Sequence, residues 1–425
     1  MQINGLSKSR LEALKEELEA KHEAFKSSGL KLDMSRGKPS PKQLDLSNDL
    51  LTDFGSYISQ DGLDARNYGV LDGLNETKEF FGKALGLNPK NILIGGSASL
   101  NLEYDALIRL WVFETQGDPP WGKLDKVKFI CQTPGYDRHF AMLEDLGIEQ
   151  ISVPLLDDGP DMDRIEEIAA ADPSVKGIFC VPLYSNPSGV CYSDEKVRRL
   201  AKMKTAAKDF KIFWDNAYGI HHLYDEEENR EKLADIFELC EEYGTEDRIL
   251  YFFSTSKITY PGSGVSLLAA SEASLNEIKA HMSKQTIGFD KINQLRTLHF
   301  FKTHGGIEEQ MKRHAAILRP KFELVLNKLQ EEFSDSGILT WQKPKGGYFI
   351  SVDTMEGCAK RIVALCKEAG LVLTAAGATH PLGHDPKDTS LRIAPSYPDY
   401  EELEKAAEVF CVCVKLAAVE KLLEK

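Results

Sequence analysis

Short apolar runs, each closed by glycine or hydroxyl residues and then by helical spacing, recur through the first two-thirds of the chain. Asn91–Ile94, Val127–Cys131, Ile151–Pro154, Gly177–Val181, Lys211–Trp214, Ile249–Phe253 and Val265–Ala270 have the length and apolar density of buried strands. Between them, helical spacing covers Asn75–Leu85, Leu100–Phe113, a segment ending at Leu146, Asp161–Ala171, Asp194–Phe210 and Leu233–Tyr243. Most of these strands are continuously apolar and do not alternate, which is the pattern of a sheet covered on both faces. The alternation predicts an α/β unit with a mostly parallel, seven-stranded sheet, and in such sheets ligands sit at the carboxyl ends of the strands.

The texture changes after Ala270. Helical spacing runs from about Leu275 to Leu329, with Arg319-Pro320 as a predicted kink. Beyond it, Ile338–Trp341, Gly347–Val352, Val372–Thr374 and Ser390–Pro395 alternate with helical stretches, predicting a smaller α+β unit. An N-terminal helix carrying Leu11, Leu14, Leu18 and Phe25, capped by Ser7 or Ser9, is expected to join it. The predicted division is residues 1–55 for the N-terminal helix and arm, 56–310 for the large unit and 311–425 for the small one.

Composition narrows the function classes. The 425 residues carry a net charge of −14, which argues against nucleic acid or acidic lipid as partner. No apolar run is long enough to span a bilayer, and Met1–Lys8 holds no signal core, so a cytoplasmic protein is expected. The eight cysteines form neither a CxxC nor a Cys/His cluster; they read as reduced core thiols, and no metal is expected.

The chemistry gathers where the predicted strands end. Lys257 follows the run Ile249–Phe253 and a hydroxyl cluster, and lysine is seldom buried unless paired. A desolvated amine is a nucleophile that condenses with aldehydes. Gly95-Gly-Ser-Ala-Ser99 turns a strand directly into a helix, where free backbone N–H groups of Ser97, Ala98 and Ser99 make an anion site. Tyr136 and Asn186 lie just beyond two further strands. Asp215 ends four core residues, where a carboxylate needs a cationic or hydrogen-bonding partner, and Tyr218 lies three residues on. A helix cap would also account for Asp215. A pyridinium nitrogen would serve as its partner too, an ion pair of roughly 4 kcal/mol at about 4 Å and an effective dielectric near 20. Phosphate, pyridine, phenolate and aldehyde are together the handles of pyridoxal 5′-phosphate.

With these motifs in order (Arg36-Gly-Lys-Pro-Ser, Asn67-Tyr-Gly, Gly96-Ser-Ala-Ser-Leu-Asn-Leu, Pro134-Gly-Tyr, Asn186-Pro-Ser-Gly, Asp215-Asn-Ala-Tyr, Ser254-Thr-Ser-Lys, Ser390-Leu-Arg-Ile-Ala) the chain resembles the fold-type I pyridoxal-phosphate aminotransferases of class I. The resemblance is to their divergent bacterial aspartate aminotransferase subgroup and covers nearly the whole chain. It implies that Lys257 carries the cofactor as a Schiff base and moves the proton. It implies that Asp215 pairs with the ring nitrogen, buttressed by His139 beside the stacking Tyr136, and that Asn186 and Tyr218 bind the ring oxygen. Ser97, Ala98, Ser99 and Ser254 would hold the phosphate, with Tyr68 reaching it from a second subunit of a homodimer. Arg392, with Asn186 and Gly37, would bind the substrate α-carboxylate. Where the family has a phosphate-binding arginine shortly after the lysine, this chain has Pro261-Gly-Ser-Gly-Val-Ser266 and no cation. Dicarboxylic substrates need a second cation, and Arg36, on a loop restricted by Gly37 and Pro39, is the candidate. The implied reaction is ping-pong transfer of an amino group from aspartate or glutamate to a 2-oxo acid such as 2-oxoglutarate. A lyase or decarboxylase on the same cofactor, or a non-catalytic sensor, are the alternatives.

Overall fold

A computed structural model describes residues 2–424. Helix α1 (Lys8–Ser27) comes first, with Ser7 at its N-cap position; strand β1 (Leu32–Asp33) and helix α2 (Pro41–Asp45) follow. Ser40 and Gln43 cap α2 reciprocally, which ends the Gly- and Pro-rich loop.

The large sheet is then laid down by α3 (Asn75–Leu85), β2 (Ile92–Ile94), α4 (Ser99–Val112), β3 (Lys128–Thr133), α5 (Asp137–Asp145) and β4 (Glu149–Leu156). It continues with β5 (Gly159–Pro160), α6 (Met162–Ala171), β6 (Val175–Cys180), α7 (Asp194–Lys202), β7 (Lys211–Asp215), α8 (Ile236–Tyr243), β8 (Ile249–Ser254) and β9 (Ser266–Ala270). The strand order is β2-β9-β8-β7-β6-β3-β4-β5. All seven expected strands form. The eighth, β5, is a two-residue edge hairpin on β4, too short to carry a pattern of its own. The run β4-β3-β6-β7-β8 is parallel, and β9 lies antiparallel to both its neighbours.

Two hydrophobic cores sandwich this sheet, and strand alternation sorts side chains between them. Ile212 and Trp214 of β7 point into the core that also holds Ile178, Tyr251 and Phe253. Phe213 points into the opposite core with Phe129, Phe179, Phe252 and the inner faces of α4 and α5. Two residues past Phe213, Asp215 is therefore aimed at the α4/α5 side. That register positions the site.

Two helical expectations are corrected. The segment Asp194–Phe210 is helical only to Lys202; Met203 turns extended, and Ala207 and Phe210 are buried from a loop, which mimics helical spacing. The stretch from Leu275 to Leu329 is three helices, α9 (Glu272–Gln285), α10 (Lys291–Thr303) and α11 (Gly306–Phe333), the last running through Pro320. Asp290 caps α10 by accepting from the Asn293 N–H at 2.9 Å, and Gly305, at φ +83°, supplies the left-handed turn before α11.

The remaining chain forms β10 (Leu339–Trp341), β11 (Ile350–Thr354), α12 (Ala359–Glu368), β12 (Leu371–Val372), β13 (Ser390–Ile393) and α13 (Tyr400–Leu423). The order β10-β11-β13 is antiparallel, and β1 pairs with β12 in parallel. Leu11, Leu18 and Phe25 of α1 share a core with α12 and α13, so the N-terminal helix does pack with the C-terminal unit. Its apolar residues have no other core to enter. All eight cysteines are free thiols, seven of them buried. Among the described residues, no helix is long and apolar enough to cross a membrane.

Candidate active site

At the carboxyl ends of β3, β6, β7 and β8 a cavity of about 230 Å³ is lined by Ala98, Ser99, Tyr136, Asn186, Asp215, Tyr218, Ser254 and Lys257. Helix α4 opens on it with Ala98 as N-cap, no side-chain cap and no acidic residue in the first turn. Its leading N–H groups thus face the cavity as anion donors. Ser254 and Ser256 hydroxyls both donate to the Ser97 carbonyl at 2.8 Å, tying the end of β8 to this turn. A Cβ on Gly264 would lie 2.8 Å from the Ser97 carbonyl oxygen, so only glycine lets the following loop close over it. That loop carries no cation of its own, but Arg296 of α10 donates to the Ser263 hydroxyl at 2.5 Å and to Asn293 Oδ1 at 2.6 Å.

Lys257 is half-buried, its ammonium 4.8 Å from the centre of the Tyr218 ring. Tyr218 is buried, and desolvation pushes its phenol pKa up, as it does for Tyr136. Asp215 is 4% exposed; its Oδ2 lies 3.5 Å from His139 Nε2, and its Oδ1 finds no hydrogen-bond partner among the described residues. The next α-helix, α8, is capped by Asp235, so Asp215 is no helix cap, and a buried carboxylate oxygen without a partner is costly. It awaits a donor.

His139 is buried face to face with Phe179, ring centres 4.2 Å apart, with Tyr136 at its edge. Its Nε2 also stands 3.0 Å from Glu103 Oε2. Burial opposes charging of this imidazole, but the hydrogen bonds and charges of Asp215 and Glu103 outweigh it and raise its pKa to about 9.

Arg392 projects from β13 opposite Ser351 and is 9% exposed. It donates to Asn186 Oδ1 at 3.1 Å and to the Thr374 hydroxyl at 3.2 Å, and sits 3.5 Å from both Asp137 Oδ1 and the Ser35 carbonyl. Accepting from Arg392 leaves the Asn186 NH₂ as the free donor. The Phe349 ring covers the guanidinium at 4.6 Å, and Gly37 packs so closely on that ring that any Cβ there would collide with it.

Thus Ser97, Ala98, Ser99, Tyr136, His139, Asn186, Asp215, Tyr218, Ser254, Lys257 and Arg392 converge, with Gly37 at the edge. Two expected residues stand apart within one chain. Tyr68 is 81% exposed, and Arg36 is exposed, its side chain with neither hydrogen bond nor ion pair among the described residues. Sequence reasoning missed Glu103, Ser256 and Arg296. It also missed His221, buried between Tyr218 and Tyr348, both ring nitrogens without a hydrogen-bond partner among the described residues. Glu103 alone had a signal: a charge on the stripe Ala106, Leu107, Leu110 at spacings of three, four and seven.

Tested against pyridoxal phosphate, the residues fit: an N–H and hydroxyl cradle for phosphate, an unpaired carboxylate oxygen for the ring nitrogen, an aromatic beside it and one free lysine. Fold and site together define an aminotransferase of the pyridoxal-phosphate fold type I. The chain belongs to the aspartate amino-transferase family, whose description matches residues 6–425. It is 45% identical over 428 residues to a putative aminotransferase of Mycolicibacterium smegmatis, covering 100% of this chain and 99% of that one. It is 42% identical to an aspartate aminotransferase of Corynebacterium glutamicum, covering 97% and 95%. A crystal structure of an aspartate transaminase from Corynebacterium glutamicum superposes with a TM-score of 0.95 at 41% identity, covering 99% of each chain.

The raised His139 pKa predicts a pH dependence of stability. The contribution of its ion pairs is fully present below the unfolded value of about 6.5 and is lost as pH rises through about 9. Thermal unfolding of wild type and His139→Asn, followed from about pH 6 to about pH 10, should show the difference in Tm shrinking across that window. Parallel curves would show that His139 carries no such linkage.

Proposed function

We propose that the protein transfers the amino group of aspartate or glutamate to a 2-oxo acid such as 2-oxoglutarate by a ping-pong route, using pyridoxal 5′-phosphate held in this cavity. One observation carries the reading: Asp215 presents a buried, unpartnered carboxylate oxygen in the cavity that also holds Lys257. The dicarboxylic substrate rests on the Corynebacterium glutamicum relatives, and Arg392 supplies the chemistry for its α-carboxylate alone.

When bound, the cofactor would supply an electron sink for the carbon that bears the amino group. This chain's residues do the rest. The α4 N-terminus would hold the phosphate, with the Ser254 hydroxyl turning toward it from the Ser97 carbonyl; Tyr136 would cover the ring, and Asp215 would keep the ring nitrogen protonated. Asn186 NH₂ and the Tyr218 hydroxyl donate to the ring oxygen. Arg392 would orient the substrate carboxylate, and the Lys257 amine would take up and return the substrate's proton. The purified protein should be yellow, and an amino donor should convert its absorbance to that of the pyridoxamine form. Lys257→Ala should still take up cofactor but lose turnover by orders of magnitude. A colourless protein, or a Lys257→Ala variant with wild-type turnover, would defeat the reading; carbon dioxide or ammonia release in place of amino transfer would favour a lyase.

The reading includes a homodimer in which Tyr68, which projects into solvent in one chain, completes the phosphate site of the other. Mixing Lys257→Ala with Tyr68→Phe subunits should restore activity above that of either alone. Full activity in a monomer at nanomolar dilution would exclude the arrangement.

The reading also gives Arg36 the distal carboxylate. It lies next to Ser35, whose carbonyl faces Arg392, and no acceptor among the described residues holds its guanidinium. Arg36→Ala should lower kcat/KM for aspartate by about tenfold or more while barely changing that for alanine. A uniform loss across donors would remove Arg36 from the site.

A further inference from the structure

The mechanism above leaves one buried ionisable group of the cavity without a task. Glu103 is 1% exposed on the inner face of α4. Its Oε2 meets His139 Nε2 at 3.0 Å, and its Oε1 has no hydrogen-bond partner among the described residues. Burying a carboxylate costs several kcal/mol, and one hydrogen bond to an imidazole does not recover it. The neighbours Leu102, Ala106, Leu107 and Leu110 show that this face of α4 would pack more stably with an apolar side chain at position 103. Stability does not explain Glu103.

We propose that Glu103 is a positioning residue for the reaction: it anchors the His139 ring, and His139 in turn holds Asp215 by Oδ2, so that Oδ1 and its charge stay free for the ring nitrogen of the cofactor. The inference rests on the functional reading above. Its geometry is a relay through one nitrogen: Glu103 Oε2 at 3.0 Å and Asp215 Oδ2 at 3.5 Å both face His139 Nε2. The Phe179 face fixes the plane of the imidazole, and Glu103 fixes its rotation in that plane. Without the carboxylate, Nε2 has Asp215 as its sole acceptor, at 3.5 Å.

Charge bookkeeping gives the relay its purpose. The groups facing His139 are Glu103 from α4, Asp215 from β7 and Tyr136 from the head of α5; Lys257 and Tyr218 act on this cluster from across the cavity. Desolvation, and next the Asp215 carboxylate, push the Glu103 pKa up, opposed by its hydrogen bond to His139. Glu103 and His139 thus form a hydrogen-bonded pair in which Glu103 raises the imidazole's hold on its proton and His139 lowers the carboxyl's, against burial and Asp215. Without the Glu103 charge the imidazole gives up its second proton, and Asp215 Oδ2 loses the cation beside it.

The test uses the holoenzyme and Glu103→Gln, which keeps the shape and removes the charge. With histidines labelled with ¹⁵N and the His139 signal assigned from His139→Asn, the wild-type imidazole should be doubly protonated at about pH 7.5 and the Glu103→Gln imidazole neutral. Glu103→Gln should bind pyridoxal phosphate about tenfold or more weakly, shift the pH titration of the bound cofactor's absorbance and lower kcat more than it raises KM, while Tm holds or rises. In a His139→Asn background the same substitution should add nothing, because Glu103 acts through that ring. A neutral His139 in the wild type, or a Glu103→Gln holoenzyme with wild-type affinity and titration, overturns the proposal. So does an equal loss in the His139→Asn background. A wild-type protein that takes up no cofactor would instead defeat the functional reading, and the His139 signal would still report whether Glu103 governs the ring.

Discussion

One carboxylate that the protein declines to satisfy organises this molecule. Asp215 ends the central strand of a sheet whose two faces are sealed by apolar cores, and one of its oxygens has nothing to accept from. A lone buried charge of this kind would ordinarily be removed or paired. Here the surroundings hold it in place: His139 on one side, Glu103 behind it, and Lys257 across the cavity. The parallel sheet makes the location compulsory. Its strand interiors are largely apolar, so the chemistry gathers at the strand ends, where α4 also delivers its unpaired N–H groups.

Much of this was legible in the sequence, for a definite physical reason. Residues such as Lys257, Asp215 and Arg392 break a local rule, each being a charge at or within an apolar strand, and rule-breaking is visible in one dimension. The strands were legible because burial on both faces makes them apolar runs. The stretch Asp194–Phe210 misled because Ala207 and Phe210 are buried from a loop, and burial leaves the same mark on a sequence whatever backbone delivers it.

What was not legible depends on distance in space. Arg296 reaches the loop after Lys257 from another helix, and Ser256 matters because its hydroxyl meets the Ser97 carbonyl. Neither breaks a local rule. Glu103 does break one, since it sits on the apolar stripe of α4, but the phosphate-type turn beside it is the louder motif. Its partner His139 lies 36 positions away, and only the fold brings the two together.

Arg392 enters the site already engaged. Its guanidinium is shared among Asn186, Asp137, Thr374 and the Ser35 carbonyl, groups drawn from both ends of the chain and its middle. An arriving carboxylate thus exchanges with acceptors already in place, and the free energy of the exchange is a difference between similar terms. That limits how tightly any acid can be held. For a catalyst whose substrate and product both bear the same carboxyl group, the limit is useful, because a grip strong enough to capture one would be slow to release the other.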